Sequence, residues 1–184
     1  MQRNLNMSET PKLSDAEIIH HRDMAVGQMK FARDYTLNML DNIPADLWNV
    51  IPAGTPSCIS WQVGHLAVAE YGLMLFRQRG RAEGDIELMP GWLRKNFGKG
   101  TQPTTALAVT PPREELLTIL DAIHQRSMLD VAGYTAASLA EPADMPFAVY
   151  PMKLGALMFA PLHESIHIGQ IGMIRRLLGL APVR

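Results

Sequence analysis

Two of the six histidines, His163 and His167, stand four residues apart near the end of the 184-residue chain. On a helix, residues at that spacing project from one face about a turn apart, close enough to share one metal ion. Imidazole is the commonest metal-binding side chain and suits zinc and nickel among others. The run His163-Glu164-Ser165-Ile166-His167 also satisfies the H-E-x-x-H pattern, in which the glutamate serves as the base of a zinc peptidase. The seventeen residues after His167 contain no His, Cys, Asp or Glu, so a third ligand has to come from upstream. No strand is expected to align a peptide substrate, which argues against a protease. The upstream candidate is His65, set on an otherwise apolar helical stripe with Trp61 and Ala69 one turn away. Such a histidine is either a neutral imidazole bonded to a carbonyl or the third ligand of a three-histidine site. His20, His21 and His124 read as exposed.

Neighbours of the pair offer supporting roles. Glu164 lies about 100° around the helix from His163 and about 60° from His167, within reach of a metal-bound water as its general base. The alternative is an ion pair with a cation such as Arg22, Arg33 or Lys153. Gln170, three residues after His167, shares the histidine face and either holds a ligand or a bound water, or bonds a neighbouring helix. Trp61 and Phe159 read as core or pocket wall, the twelve methionines as core filler. Arg175 and Arg176 suit the negative end of a helix dipole.

Four helices must position these residues. Ser14 with Asp15 and Glu17 makes a capped start, and Ile18, Ala25, Met29, Ala32 and Met39 continue one face to about Asp41. The Pro- and Gly-containing segment 42–57 connects, with at most one helical turn near Ala45 to Asn49. Helix two runs from about Cys58 to Arg79 and stops at Gly80. Residues 81–110 hold four glycines and two prolines, with a short amphipathic piece near Trp92 to Phe97. A connection that long crosses the fold and lets successive helices run the same way. Thr110 caps helix three ahead of Pro111 and Pro112, and Leu116, Leu120, Ile123 and Val131 carry it toward Gly133. Residues 140–151, with three prolines, read as irregular. Helix four spans about Leu154 to Leu178, with Pro161 predicting a kink before the histidines. No segment alternates with period two, so the expected class is all-α: a four-helix bundle with a long crossover between helices two and three. Residues 1–13 read as a flexible arm and 14–184 as one domain.

The stretch Ser60-Trp61-Gln62-Val63-Gly64-His65-Leu66, together with His163-Glu164-Ser165-Ile166-His167-Ile168-Gly169-Gln170-Ile171, resembles the two signature segments of the DinB-like superfamily. That resemblance covers roughly Ser14 to Gly179. It implies a four-helix bundle of unusual crossover topology, frequent homodimers, and a divalent metal held by His65, His163 and His167. Some members of that family are similar to transferases or isomerases that use low-molecular-weight thiols.

Composition narrows the function classes. Seventeen Lys and Arg against eighteen Asp and Glu leave a net charge of -1, no footprint for a phosphate backbone. Nucleic acid is therefore not an expected partner. Leu154 to Leu162, the longest nearly uninterrupted apolar stretch, is about half of the ~20 residues a membrane span needs. The N-terminal residues show no signal peptide or lipid anchor, so the expected address is the cytoplasm. The single cysteine, Cys58, forms no intramolecular disulfide and reads as a small buried thiol. Two functions follow. One is a metal-dependent enzyme, with one zinc or nickel ion per chain and manganese or iron as alternatives, acting with water or a small thiol on a small-molecule substrate. The other is a non-catalytic module in which the metal stabilises the fold or a dimer.

Overall fold

The computed structural model describes residues 12–103, 111–147 and 150–183. Most of these are helical, and the helices follow the expected apolar periods. Helix α1 spans Asp15–Leu40; Ser14 accepts from the Glu17 amide while the Glu17 carboxylate accepts from the Ser14 amide, a reciprocal capping box. A single 3-10 turn, Ala45–Leu47, lies in the first connection. Helix α2 covers residues 59–79 and widens into a π turn over Tyr71–Phe76. Short helices α3 (Asp85–Leu88) and α4 (Gly91–Phe97) break the long connection, the second where the amphipathic piece was expected. Helix α5 is Arg113–Val131, α6 is the short Ala136–Leu139, and α7 is Lys153–Leu177, continuous through Pro161.

One expectation fails outright. The segment read as irregular contains an antiparallel pair, β1 (Pro142–Phe147) and β2 (Tyr150–Met152), with Pro142 opposite Met152 and Phe147 opposite Tyr150. Proline lacks the amide a ladder needs but is tolerated on an edge, and a two-stranded ribbon is all edge. Most of the expected N-terminal arm, residues 1–11, lies outside the described residues, as does Thr110, the expected cap of α5.

Side-chain bonds fix the relative directions of the long helices. Arg33 meets Glu164 and the Met39 carbonyl meets Arg175, so α1 and α7 run the same way. Gln62 meets His167 and Gln78 meets the Lys153 carbonyl, so α2 runs against α7. Glu70 meets His124 and Arg79 meets Asp130, so α2 and α5 run alike.

The core falls into two apolar clusters. One gathers Met39, Ile59, Leu66, Phe97, Leu120 and Ile171; the other gathers Met29, Met74, Leu139, Leu154 and Leu157. Each long helix passes from one cluster to the other, and at that passage it carries polar residues: Arg33 on α1, Glu70 on α2, His124 on α5, and His163 to His167 on α7. These residues form a polar layer between two halves of the core. Among the described residues no helix is long and apolar enough to cross a membrane.

Candidate metal centre

His65, on α2, meets His163 and His167, on α7, with one nitrogen of each ring within 4.8 Å of the others. Ring centroids lie 5.3 Å apart for His65 and His163, 4.8 Å for His65 and His167, and 4.6 Å for His163 and His167. Two of the rings are oriented from behind. His65 Nδ1 lies 2.7 Å from the Phe97 carbonyl oxygen; because a carbonyl only accepts, Nδ1 carries the proton and Nε2 is left free. His167 Nδ1 lies 2.5 Å from Gln62 Oε1, and Gln62 Nε2 donates to Ser57 Oγ at 2.8 Å. Both arrangements match the outer-shell bonds that fix the tautomer of metal-binding histidines. Neither ring nitrogen of His163 has a hydrogen-bond partner among the described residues.

The sequence explains why Phe97 can serve. A β-carbon on Gly64 would lie 2.4 Å from Phe97 Cδ1, so only glycine there lets the C-terminus of α4 lie against α2, one residue before His65. Trp61 closes the same corner. Its indole stacks on His65 at 4.7 Å and 8°, and its Nε1 donates to Thr101 Oγ1, which itself donates to the Gly98 carbonyl. Phe159 flanks His163, with centroids 5.9 Å apart. Gln170 is half-buried one turn beyond His167 and makes no hydrogen bond to a histidine among the described residues.

All three imidazoles are held neutral. Burial lowers His65 below its usual value against the opposing bond to Phe97. Burial, then the neighbouring His65, takes His163 down to about 4, and burial with His163 and His65 takes His167 to about 3. Neutral imidazole is the form that ligates. Both readings of His65 thus meet in one residue: it bonds a carbonyl through one nitrogen and offers the other to the cluster.

Glu164 lies elsewhere in the polar layer, and the general-base expectation does not fit its bonds. Its carboxylate is almost fully buried and accepts from Arg33 Nε at 2.8 Å, Arg33 Nη2 at 2.9 Å and Thr36 Oγ1 at 2.8 Å. Of the three cations considered, Arg33 is its partner. Arg33 Nη2 also reaches Glu70 at 2.7 Å, Nη1 donates to the Leu120 carbonyl, and Glu70 pairs with His124 Nδ1 at 2.9 Å. Burial opposes the charge on Arg33, yet Glu70 and Glu164 outweigh it and raise its pKa. One guanidinium so joins all four long helices. His124 and His21, expected to be exposed, are half-buried, whereas His20 is exposed.

Sequence reasoning missed Gln62, Phe97, Glu70 and Thr36, and assigned Arg175 to the helix dipole. Arg175 is buried and donates to the Met39, Asp41 and Ala181 carbonyls. It closes the end of α1, whose last turn has no basic residue of its own. Cys58 is fully buried, as expected, and burial pushes its thiol pKa up.

The family model of the DinB superfamily matches residues 28–171. The chain belongs to the DinB superfamily. A comparison with curated proteins finds no match. The matched span contains all three histidines of the cluster, both aromatic side chains beside it and the Arg33 network, so the polar layer of this DinB-superfamily chain lies wholly within the family region.

Proposed function

We propose that the chain holds one divalent metal ion, zinc or nickel by preference and manganese or iron by alternative, through His65 Nε2, His163 and His167 Nε2. In this reading it is an enzyme that uses a bound water or a small thiol for hydrolysis of, or transfer to, a small-molecule substrate. We place the site in a four-helix bundle of α1, α2, α5 and α7, with residues 81–110 as the crossover. The shared direction of α2 and α5 supports that frame.

The observation that carries the function is the donor set: three neutral imidazoles with nitrogens turned to one point and two rings locked from behind. No fourth His, Cys, Asp or Glu joins the group among the described residues. Three protein ligands suit a catalytic centre better than a closed structural site, which fills four positions. A divalent cation held by these three residues would supply Lewis acidity, making a water or a small thiol a stronger nucleophile at neutral pH. The chain's own residues do the rest. Phe97 and Gln62 hold two rings in the ligating tautomer, and Trp61 and Phe159 pack against His65 and His163 as aromatic walls. Glu164 is committed to Arg33 and is given no proton to move.

The test is a screen of metal-loaded protein with small thiols and electrophiles, and with hydrolysable esters and amides. The expected result is turnover that a chelator abolishes and added zinc, nickel or manganese restores. Full metal occupancy without turnover of any thiol or ester, together with a large loss of thermal stability on chelation, would instead support the non-catalytic module.

A further inference from the structure

Of the two roles the sequence allows Gln170, the bond to a neighbouring helix is not made. The side chain is half-buried and has no hydrogen-bond partner among the described residues. Its place is specific. On α7, Phe159, Ile166 and Gln170 fall within about 60° of His163, while Glu164 lies about 100° around the other way. On α2, Trp61, Val68 and Gly72 fall within about 60° of His65, on the side away from Glu70. All six are half-buried except Ile166, which is exposed, whereas Glu70 and Glu164 turn into the core. Because α2 and α7 run in opposite directions, the two sets edge one outward groove beside the histidine cluster. The Gln62 to His167 bond puts Trp61 and Gln170 at one end of it and Gly72 and Phe159 at the other. Trp61 has already used its indole N–H on Thr101. Gln170 is therefore the one side chain on these edges, among the described residues, with a donor and an acceptor both unused. Charge stays at the ends of the groove: Arg77 Nη1 donates to the Gly72 carbonyl at 3.0 Å, and Lys99 is exposed on the turn that carries Thr101.

We infer that Gln170 selects the ligand of the histidine site by hydrogen-bonding an uncharged amide or carbonyl group of a small molecule whose reacting atom sits at the cluster. The inference rests on the metal-dependent reading above and names the substrate class for it. Gln170 is one turn past His167, about 4.5 Å along the helix axis, so the group it takes lies close to the reacting atom. A glutamine amide donates and accepts at once, which matches an amide or a carbonyl but gives a carboxylate no counter-charge. Drawing a carboxylate into a half-buried groove without a cation beside it costs more than one neutral hydrogen bond returns. Toward the other end Phe159 and Val68 offer apolar surface and Gly72 no side chain at all, so the remainder of the molecule is apolar. The class is a small, neutral thiol or electrophile with one amide or carbonyl near its reacting atom.

Full-length protein loaded with nickel tests it, through the thiolate-to-nickel charge-transfer absorption as three thiols are titrated: N-acetylcysteamine, butanethiol and mercaptopropionate. Wild type is expected to bind N-acetylcysteamine most tightly and mercaptopropionate most weakly. Gln170→Leu and Gln170→Met should each weaken N-acetylcysteamine roughly fivefold, the worth of one neutral hydrogen bond, and leave nickel content and butanethiol affinity unchanged. Equal nickel content shows that a variant keeps the folded site, and the wild-type ranking is decisive by itself if a variant does not fold. A wild type that binds all three alike or favours the carboxylate would overturn the inference while the metal site stands, and so would an amide preference that survives both substitutions. Nickel that does not bind, or that binds and responds to no thiol, would instead overturn the thiol reading beneath it and the inference with it.

Discussion

The two sides of α7 carry two polar clusters that differ in how fully their groups are used. Toward α1, Glu164 shares in a network in which Arg33, Glu70, Thr36 and His124 exchange short bonds. Toward α2, His65, His163 and His167 turn nitrogens to one another, and on His65 and His167 the nitrogen left free by the bonds to Phe97 and Gln62 is an acceptor. Buried polar groups normally find partners, so a satisfied network reads as architecture. Neutral imidazoles converging on one another, two of them with an unprotonated nitrogen left free, read as a site for something the chain does not itself supply. Adjacent residues of one helix turn, Glu164 and His163, thus fall on opposite sides of that division. An H-E-x-x-H match alone cannot separate them, because the role of the glutamate depends on which helix faces it.

The largest effect should come from breaking the network. Arg33→Met leaves Glu70 and Glu164 buried without their cation, which should cost about 3–5 kcal/mol in chemical unfolding. A loss under ~1 kcal/mol would mean the network is not the clamp described here.

Acid should act through the other cluster. His163 and His167 are neutral in the fold down to about 4 and about 3, whereas an unfolded histidine protonates near its ordinary ~6.5. The unfolded chain therefore binds more protons between these limits, and metal-free stability, complete above ~6.5, should fall as the pH drops toward 4 and then 3. His163→Asn should flatten that acid limb in a stability profile measured against pH. An unchanged limb would remove the triad as its source.

A smaller effect is expected from Gln62→Leu, which removes the acceptor behind His167. Metal affinity measured by competition with a chromogenic chelator should fall about 10–100-fold, while the Arg33 network stays intact. Unchanged affinity would mean the bond does not orient the ring.

Much of this was legible in the sequence. Long helices announce themselves through a 3.6-residue apolar period and capping residues, which is why α1, α2, α5 and α7 begin and end within a few residues of the expected positions. Four-residue spacing placed His163 and His167 on one face, and an isolated polar residue on an apolar stripe marked His65. Arg33 and Glu70 were harder to find, because a charged residue in an amphipathic helix reads as solvent-facing until its counter-charges arrive from other helices. The Arg33 to Glu164 bond spans 131 residues, a distance no local pattern reports. Gln62 and Phe97 act through groups that nearly every protein has, an amide and a main-chain carbonyl, and only proximity gives them their roles. Proline counts hid the strand pair, since they exclude central strands but not a ribbon of two edges.

The most direct test of the central claim is metal content per chain, by elemental analysis of untagged wild type beside His65→Ala, His163→Ala and Glu164→Gln. We expect close to one equivalent in wild type and in folded Glu164→Gln, and none in either histidine variant. Metal absent from wild type even after incubation with zinc or nickel, or retained at one equivalent in both histidine variants, would contradict the assignment of the triad.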